Sequence, residues 1–215
     1  KIIIQGQVIA GRTLQLLKPM LQEHSFTTGE LQPISSHNIV SHYVQQIVAD
    51  TAVDQSFRIV VDAGNAVPGP IAMQLFDSLG CLAFPMHCEI DGAFPNHEPN
   101  PADERNLQGL IAKVKELNAD LGFALDGDGD RLVMVDHLGR KVDGDQLLYV
   151  IAKARKEAGR LTGPVVGTLM TNYGLERALR ALDIGFERAA VGDRSVRVAA
   201  DELTDDAIVL GQALR

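Results

Sequence analysis

The chain has 215 residues, 46% of them hydrophobic, with a formal net charge of −8 at pH 7 and a pI near 5.2. That length buries one large core or two smaller ones, and an acidic balance excludes the basic stripe with which nucleic-acid binders neutralise phosphates. No uninterrupted apolar run of 18 residues occurs, and the start, Lys1-Ile2-Ile3-Ile4-Gln5-Gly6, lacks the long apolar stretch of a secretory leader, so the reading is a soluble cytoplasmic protein with neither membrane nor nucleic acid as partner.

In chain order, Ile2-Ile3-Ile4 reads as a strand and residues 14–21 as a helix interrupted by Pro19. A polar stretch over residues 22–32 follows, and residues 1–35 are too few to bury a core of their own, so they are expected to be the C-terminal tail of a preceding domain. Ile39, Val40, Tyr43 and Ile47 share one helical face, with Ser36 or Asn38 as the expected cap.

Arg58-Ile59-Val60-Val61-Asp62 is the clearest buried strand. After the turn over residues 63–69, Pro70 is expected to open a helix carrying Ile71, Leu75, Phe76 and Leu79 on one face, and residues 81–86 read as the next strand. Cys81 and Cys88 are the only cysteines; neither lies in a CxxC pair or near a zinc-finger spacing, so both read as core or near-core thiols.

The spacing of Leu107, Leu110, Ile111, Val114 and Leu117 predicts an amphipathic helix over 106–118. Residues 121–125 and 132–135 read as strands, with a turn at 137–140 before Lys141-Val142. From Gly144 a helix is expected to run to the basic end at Lys153, Arg155 and Lys156, stopped by Gly159. Strands at 165–169, 186–190 and 208–210, alternating with helices at 175–182 and 195–203, then repeat the pattern. Such alternation is the mark of an α/β fold, with a boundary between two units near residues 143–163.

The chemistry lies in the connection Asp126-Gly127-Asp128-Gly129-Asp130-Arg131. Three carboxylates separated only by glycine repel one another unless a cation neutralises them, and the glycines allow the backbone to turn them toward one centre. All-oxygen ligands select magnesium or calcium over zinc. An EF-hand loop is excluded, because its sixth position needs glycine and its twelfth glutamate, where this chain has Arg131 and His137, and the flanks are strands rather than helices. Arg131 is unsuited to metal but suited to a phosphate that the metal also contacts, which points to phosphoryl transfer.

Three other places are candidates. His97, between Asn96 and Glu98 in a proline-rich loop, reads as a structural residue because no second metal ligand is near it in sequence. Asp143-Gly144-Asp145 is explained by capping and the dipole of the helix that follows. Gly192, Asp193 and Arg194 lie between an expected strand and helix, where α/β folds bind ligands.

The acidic loop after an apolar strand resembles the metal loop of the α-D-phosphohexomutase superfamily. Val60-Val61-Asp62-Ala63-Gly64-Asn65 is similar to the opening of that family's second domain, and Phe94-Pro95-Asn96-His97-Glu98-Pro99-Asn100-Pro101 to a segment of its phosphomannomutase branch. Residues 137–146, Gly167-Thr168-Leu169-Met170-Thr171-Asn172 and Val191-Gly192-Asp193-Arg194 resemble the phosphoglucosamine mutase branch instead.

The resemblance implies two consecutive three-layer α/β/α mixed-sheet domains: residues 1–35 as the tail of a phosphoserine-bearing domain 1, 36–143 as metal-binding domain 2 and 144–215 as part of sugar-reading domain 3. It implies Mg²⁺ on Asp126, Asp128 and Asp130, Arg131 steadying the transferred phosphoryl group, and Gly192, Asp193 and Arg194 at the sugar. Lys1, which opens an apolar strand as the family's proton-transfer lysine does, takes that role. The implied activity interconverts a hexose 1-phosphate and a hexose 6-phosphate through a phosphoserine and a bisphosphorylated sugar, most simply as phosphomannomutase/phosphoglucomutase, with phosphoglucosamine mutase as alternative. Domains 1 and 4 of the same enzyme would be partners, and without them the chain would lack turnover.

Ser35-Ser36-His37-Asn38 is not the family's active-site serine triplet, since the lysine strand should follow that serine. The ending Gly211-Gln212-Ala213-Leu214-Arg215 departs from the family's Gly-Glu-x-Ser-Gly-His sugar loop. These departures and the mixed motifs motivate one further alternative, a catalytically incomplete magnesium-binding fragment or chimeric module.

Overall fold

Ile59, Val60 and Val61 are almost completely shielded from solvent, which places their strand in the middle of a sheet covered on both faces. The protein is described from a computed structural model over residues 2–4, 7–9, 11–26, 29, 33–190 and 208–209. Contacts divide it into Lys1–Asn38 and Ile39–Arg215. Lys1, Gly192, Asp193, Arg194, the helix expected over 195–203 and the ending at 211–215 lie outside the described residues.

In the first unit β1 (Ile2–Ile4) pairs antiparallel with β2 (Gln7–Ile9), Ile3 opposite Val8. The helix expected over 14–21 is two short ones, α1 (Arg12–Gln15) and α2 (Leu17–Gln22). The break falls before Leu17, and Pro19 is tolerated because it sits in the first turn of α2, where its missing N–H has no intrahelical partner to lose.

The second unit begins with α3 (Val40–Asp50). Its N-cap position is Ile39, in helical conformation, rather than Ser36 or Asn38 as expected. The buried residue is Val44, with Val40, Ile47 and Val48 half-buried, while Ile39 and Tyr43 face solvent, so the apolar face keeps Val40 and Ile47 of the predicted set but centres on Val44.

Five strands form the first sheet in the order β4-β3-β5-β6-β7. They are β3 (Arg58–Asp62), β4 (Leu82–Met86), β5 (Leu121–Leu125), β6 (Leu132–Asp136) and β7 (Lys141–Val142). β3 runs parallel to β4 and β5, whereas β6 and β7 complete an antiparallel meander. Side chains alternate across β3. Ile59 and Val61 join the cluster with Ala72, Met73 and Phe76 of α4 (Pro68–Ser78), and Val60 joins the cluster of Leu110 and Val114 from α5 (Gln108–Glu116). The helices therefore cover opposite faces, giving three layers.

α4 opens at Pro68 rather than Pro70, with proline at its first position. All five apolar residues predicted to share the face of α5 lie in or against its core cluster.

The second sheet has the order β10-β8-β9, from β8 (Val165–Thr168), β9 (Phe186–Ala189) and β10 (Ile208–Val209), and these described strands are all parallel. Its core joins Val165 to Leu148 and Ala152 of α6 (Gly144–Glu157) and to Leu175 and Leu179 of α7 (Tyr173–Ala181). Among the described residues, no helix is long and apolar enough to cross a membrane.

Candidate functional site

β5 and β6 pair up to Leu125 opposite Leu132, so Asp126 to Arg131 are the whole connection at the tip of an antiparallel pair. Two backbone bonds close it: Asp126 N–H donates to the Arg131 carbonyl at 3.2 Å and Gly129 N–H to the Asp126 carbonyl at 3.1 Å. Gly129 has φ +73°, a conformation other residues rarely adopt, and a methyl group there would lie 3.0 Å from Pro68 Cβ at the start of α4. Gly127 faces Pro99 on the other side, at 3.8 Å by the same measure.

Sequence reasoning named Asp126, Asp128 and Asp130, and the fold brings them together, each presenting a carboxylate oxygen within 4.8 Å of the others. Asp126 is buried, at 2% exposure, and the other two are exposed. The Arg131 backbone N–H donates to Asp126 Oδ1 at 3.0 Å and its Nε to Oδ2 at 2.6 Å. Asp130 lies 3.9 Å from Arg131 Nε.

Partial desolvation, reinforced by Asp128 and Asp126, pushes the Asp130 carboxyl above its usual range, against an opposing pull from Arg131. The hydrogen bond to Asp126 pushes the Arg131 guanidinium up. A carboxylate raised by desolvation and then by like-charged neighbours is the condition that a hard cation relieves. Each Asp126 oxygen accepts one bond from Arg131 and retains a lone pair for a metal, so the donor set fits a hard, oxygen-seeking ion.

The fold also assembles residues that sequence reasoning did not connect. His97 Nε2 reaches the Asp62 carboxylate, at 3.2 Å from Oδ1 and 3.1 Å from Oδ2, and His87 stands beside them. His97 thus has neighbours of metal-ligand type, Asp62 being 35 residues away in sequence. Asn65 links the same region, receiving Asn96 Nδ2 on its Oδ1 at 2.7 Å and donating Nδ2 to the Glu89 carbonyl at 3.0 Å. The signal available beforehand was Asp62 itself, a carboxylate closing an otherwise apolar strand, where burial demands a partner.

Asp143 caps α6 as expected, in a reciprocal pair with Gln146. Asp145 does more than complement the α6 dipole: its Oδ2 accepts the Asn172 N–H at 2.8 Å, at the start of α7. Both cysteines are free, and burial pushes the Cys88 thiol up.

The sequence profiles described as phosphoglucomutase/phosphomannomutase, alpha/beta/alpha domain II and domain III match residues 40–139 and 143–211. The chain belongs to the α-D-phosphohexomutase superfamily. Among phosphohexomutases, it is 42% identical to the phosphomannomutase/phosphoglucomutase of Pseudomonas aeruginosa over 153 residues, 71% of this chain and 33% of that protein. It is 52% identical to the phosphoglucosamine mutase of Vibrio vulnificus over 139 residues, 65% of this chain and 30% of that protein. A crystal structure of a phosphoglucomutase/phosphomannomutase family protein from Burkholderia thailandensis superposes with a TM-score of 0.83 at 34% identity, covering 92% of this chain and 43% of that one. The chain spans about a third of the length of the curated relatives it matches.

Proposed function

We propose that these residues are the metal-binding and part of the sugar-reading portion, residues 36–143 and 144–215, of a phosphohexomutase that interconverts hexose 1-phosphate and hexose 6-phosphate. The observation that carries this reading is the convergence of the Asp126, Asp128 and Asp130 oxygens within 4.8 Å on a hairpin tip braced by Arg131. Mg²⁺ is the cation of choice for such a set, and bound there it would neutralise phosphoryl oxygens.

The chain's own residues do the rest. Arg131 holds Asp126 in place, and its guanidinium, 47% exposed, is available to phosphate oxygens in a planar two-donor contact. A phosphoserine from outside the matched third of the enzyme would give its phosphoryl group to a sugar hydroxyl, forming the P–O bond to the sugar as that to serine breaks. The bisphosphate then reorients and returns its other phosphoryl group to the serine. Lys1 is assigned to take the hydroxyl proton, and Gly192, Asp193 and Arg194 to contact the sugar, on resemblance alone. The two free cysteines accord with a reducing compartment, and we assign the protein to the cytoplasm.

Glucose 1-phosphate is the first substrate to test; the 52% identity to a phosphoglucosamine mutase supports glucosamine phosphate as a second reading. Calorimetry should show Mg²⁺ binding to the chain that is lost in Asp128→Ala. Conversion of glucose 1-phosphate should require the remaining enzyme domains supplied in the full-length protein. Absence of Mg²⁺ binding by a folded chain would sink the reading, and turnover by the 215 residues alone would overturn the assignment of the donor serine to another region.

A further inference from the structure

Asp62, His87 and His97 each offer a ligand atom within 4.8 Å of the others, outside the acidic loop. Asp62 ends β3, and His87 follows Met86, which stands level with Asp62 in the parallel ladder to β4. His97 enters from the proline-rich loop. The Asp62 carboxylate is 2% exposed and receives one backbone donor, Gly64 N–H at 3.0 Å on Oδ1. A charge that deep needs a positive partner.

The geometry of His97 narrows what that partner is. Its Nδ1 lies 2.9 Å from the Glu98 carbonyl oxygen, which can only accept, so Nδ1 carries a proton. Its Nε2 faces both Asp62 oxygens, which are acceptors as well when ionised. Either Nε2 is also protonated, making an imidazolium–carboxylate pair, or its lone pair points at a cation shared with the carboxylate. His87 favours the second arrangement. Its ring meets that of His97 edge to face at 5.3 Å between centroids, and one of its ring nitrogens lies within 4.8 Å of the ligand atoms of Asp62 and His97. A protonated His97 already has its counter-charge in Asp62 and does not require a second imidazole, whereas a metal ion gains a ligand from it.

An Nδ1–H donated to a backbone carbonyl with Nε2 left for metal is the usual arrangement of a ligating histidine. Around a tetrahedral zinc, ligand atoms stand about 3.3 Å apart, near the separation already present between His97 and Asp62. We propose that Asp62, His87 and His97 form a second metal site, for zinc or another first-row transition ion, leaving one coordination position open to water. Two imidazoles and one carboxylate select such ions over magnesium, which separates this site chemically from the all-oxygen loop. The ion would pin the proline-rich loop to the sheet edge. Pro99 in that loop is the surface against which Gly64 and Gly127 rest, so the second ion would brace the support of the acidic loop.

This inference is independent of the mutase assignment, and its test keeps the two apart. Co²⁺ titrated into the chain under saturating Mg²⁺ should bind at one equivalent, give visible absorption bands and be displaced by Zn²⁺. The bands should persist in Asp128→Ala and weaken at least tenfold in apparent affinity in His87→Gln and in His97→Gln. Circular dichroism checks that each variant is folded; should His97→Gln fail to fold, His87→Gln decides, since its ring makes no hydrogen bond to Asp62. No Co²⁺ or Zn²⁺ binding, binding untouched by His87→Gln, or binding that vanishes with Asp128→Ala would each overturn the proposal. A doubly protonated His97 seen by nitrogen NMR with Zn²⁺ present would do the same, assigning the cluster as an ion pair only.

Discussion

Arg131 bonds both oxygens of Asp126 at once, its backbone N–H on one and its Nε on the other. A residue that follows the acidic loop therefore fixes the rotamer of the one that begins it. Removing the side chain leaves a carboxylate at 2% exposure with one backbone donor, the Arg131 N–H. Because the arginine itself is half exposed, the loss is discounted from that of a fully buried pair to about 1–2 kcal/mol. Arg131→Ala should lower Tm by roughly 2–8 °C and weaken Mg²⁺ binding, and Arg131→Lys, which cannot reproduce the Nε contact, should recover little of either. Differential scanning calorimetry with and without Mg²⁺ checks this.

The acidic loop predicts a pH dependence with a definite sign. The Asp130 carboxyl is raised above its ordinary 3.8 in the folded chain, chiefly by desolvation and then by Asp128 and Asp126. A raised value means that the folded state favours the proton; this contribution to stability is present below pH 3.8 and is lost as pH climbs through the raised value. At neutral pH Asp130 thus strains the metal-free chain. Asp130→Asn should raise the metal-free Tm at pH 7 by a few degrees at most, with the difference shrinking toward pH 3, and should abolish the stabilisation that Mg²⁺ gives the parent. An unchanged Mg²⁺ effect in the variant would contradict the ligand assignment.

Gly69 lies in the first turn of α4 with its Cα against the backbone of Cys88. A methyl group built there would contact the Cys88 carbonyl oxygen and stand 2.8 Å from Cys88 Cα, neither of which can swing aside as a side chain would. Gly69→Ala should destabilise by about 1–3 kcal/mol in chemical denaturation, although alanine is the better helix former. Gly92→Ala, where nothing lies within 4 Å, serves as the control and should be close to neutral.

Asp143 and Gln146 cap α6 reciprocally, Gln146 N–H to Asp143 Oδ1 at 3.0 Å and Asp143 N–H to Gln146 Oε1 at 2.9 Å. Asp143→Ala should cost about 1 kcal/mol and Asp143→Ser should restore most of it, read as the midpoint of urea unfolding.

What the amino-acid order revealed was local. Leu107, Leu110, Ile111, Val114 and Leu117 declared α5 through spacing alone, and the carboxylates at 126, 128 and 130 could be read as one cluster because all three stand on one connection. Features set by distant partners stayed hidden. His97 looked isolated because Asp62 and His87 join it only when β3 and β4 lie side by side. The role of Asp145 depends on Asn172, 27 residues on. The face of α3 was misjudged for a similar reason: Tyr43 and Val44 are both apolar enough to lead a stripe, and packing against α4 selects Val44. Pro68 and Pro70 both suit a helix start, and composition gives no means of choosing between them.

Since three carboxylates share the hairpin tip with Arg131, the loop without a cation would repel phosphate esters. Loading then has a direction. On the function proposed above, the dication would have to arrive before the anionic sugar, and stripping it with a chelator would repel substrate by electrostatics before any change of shape.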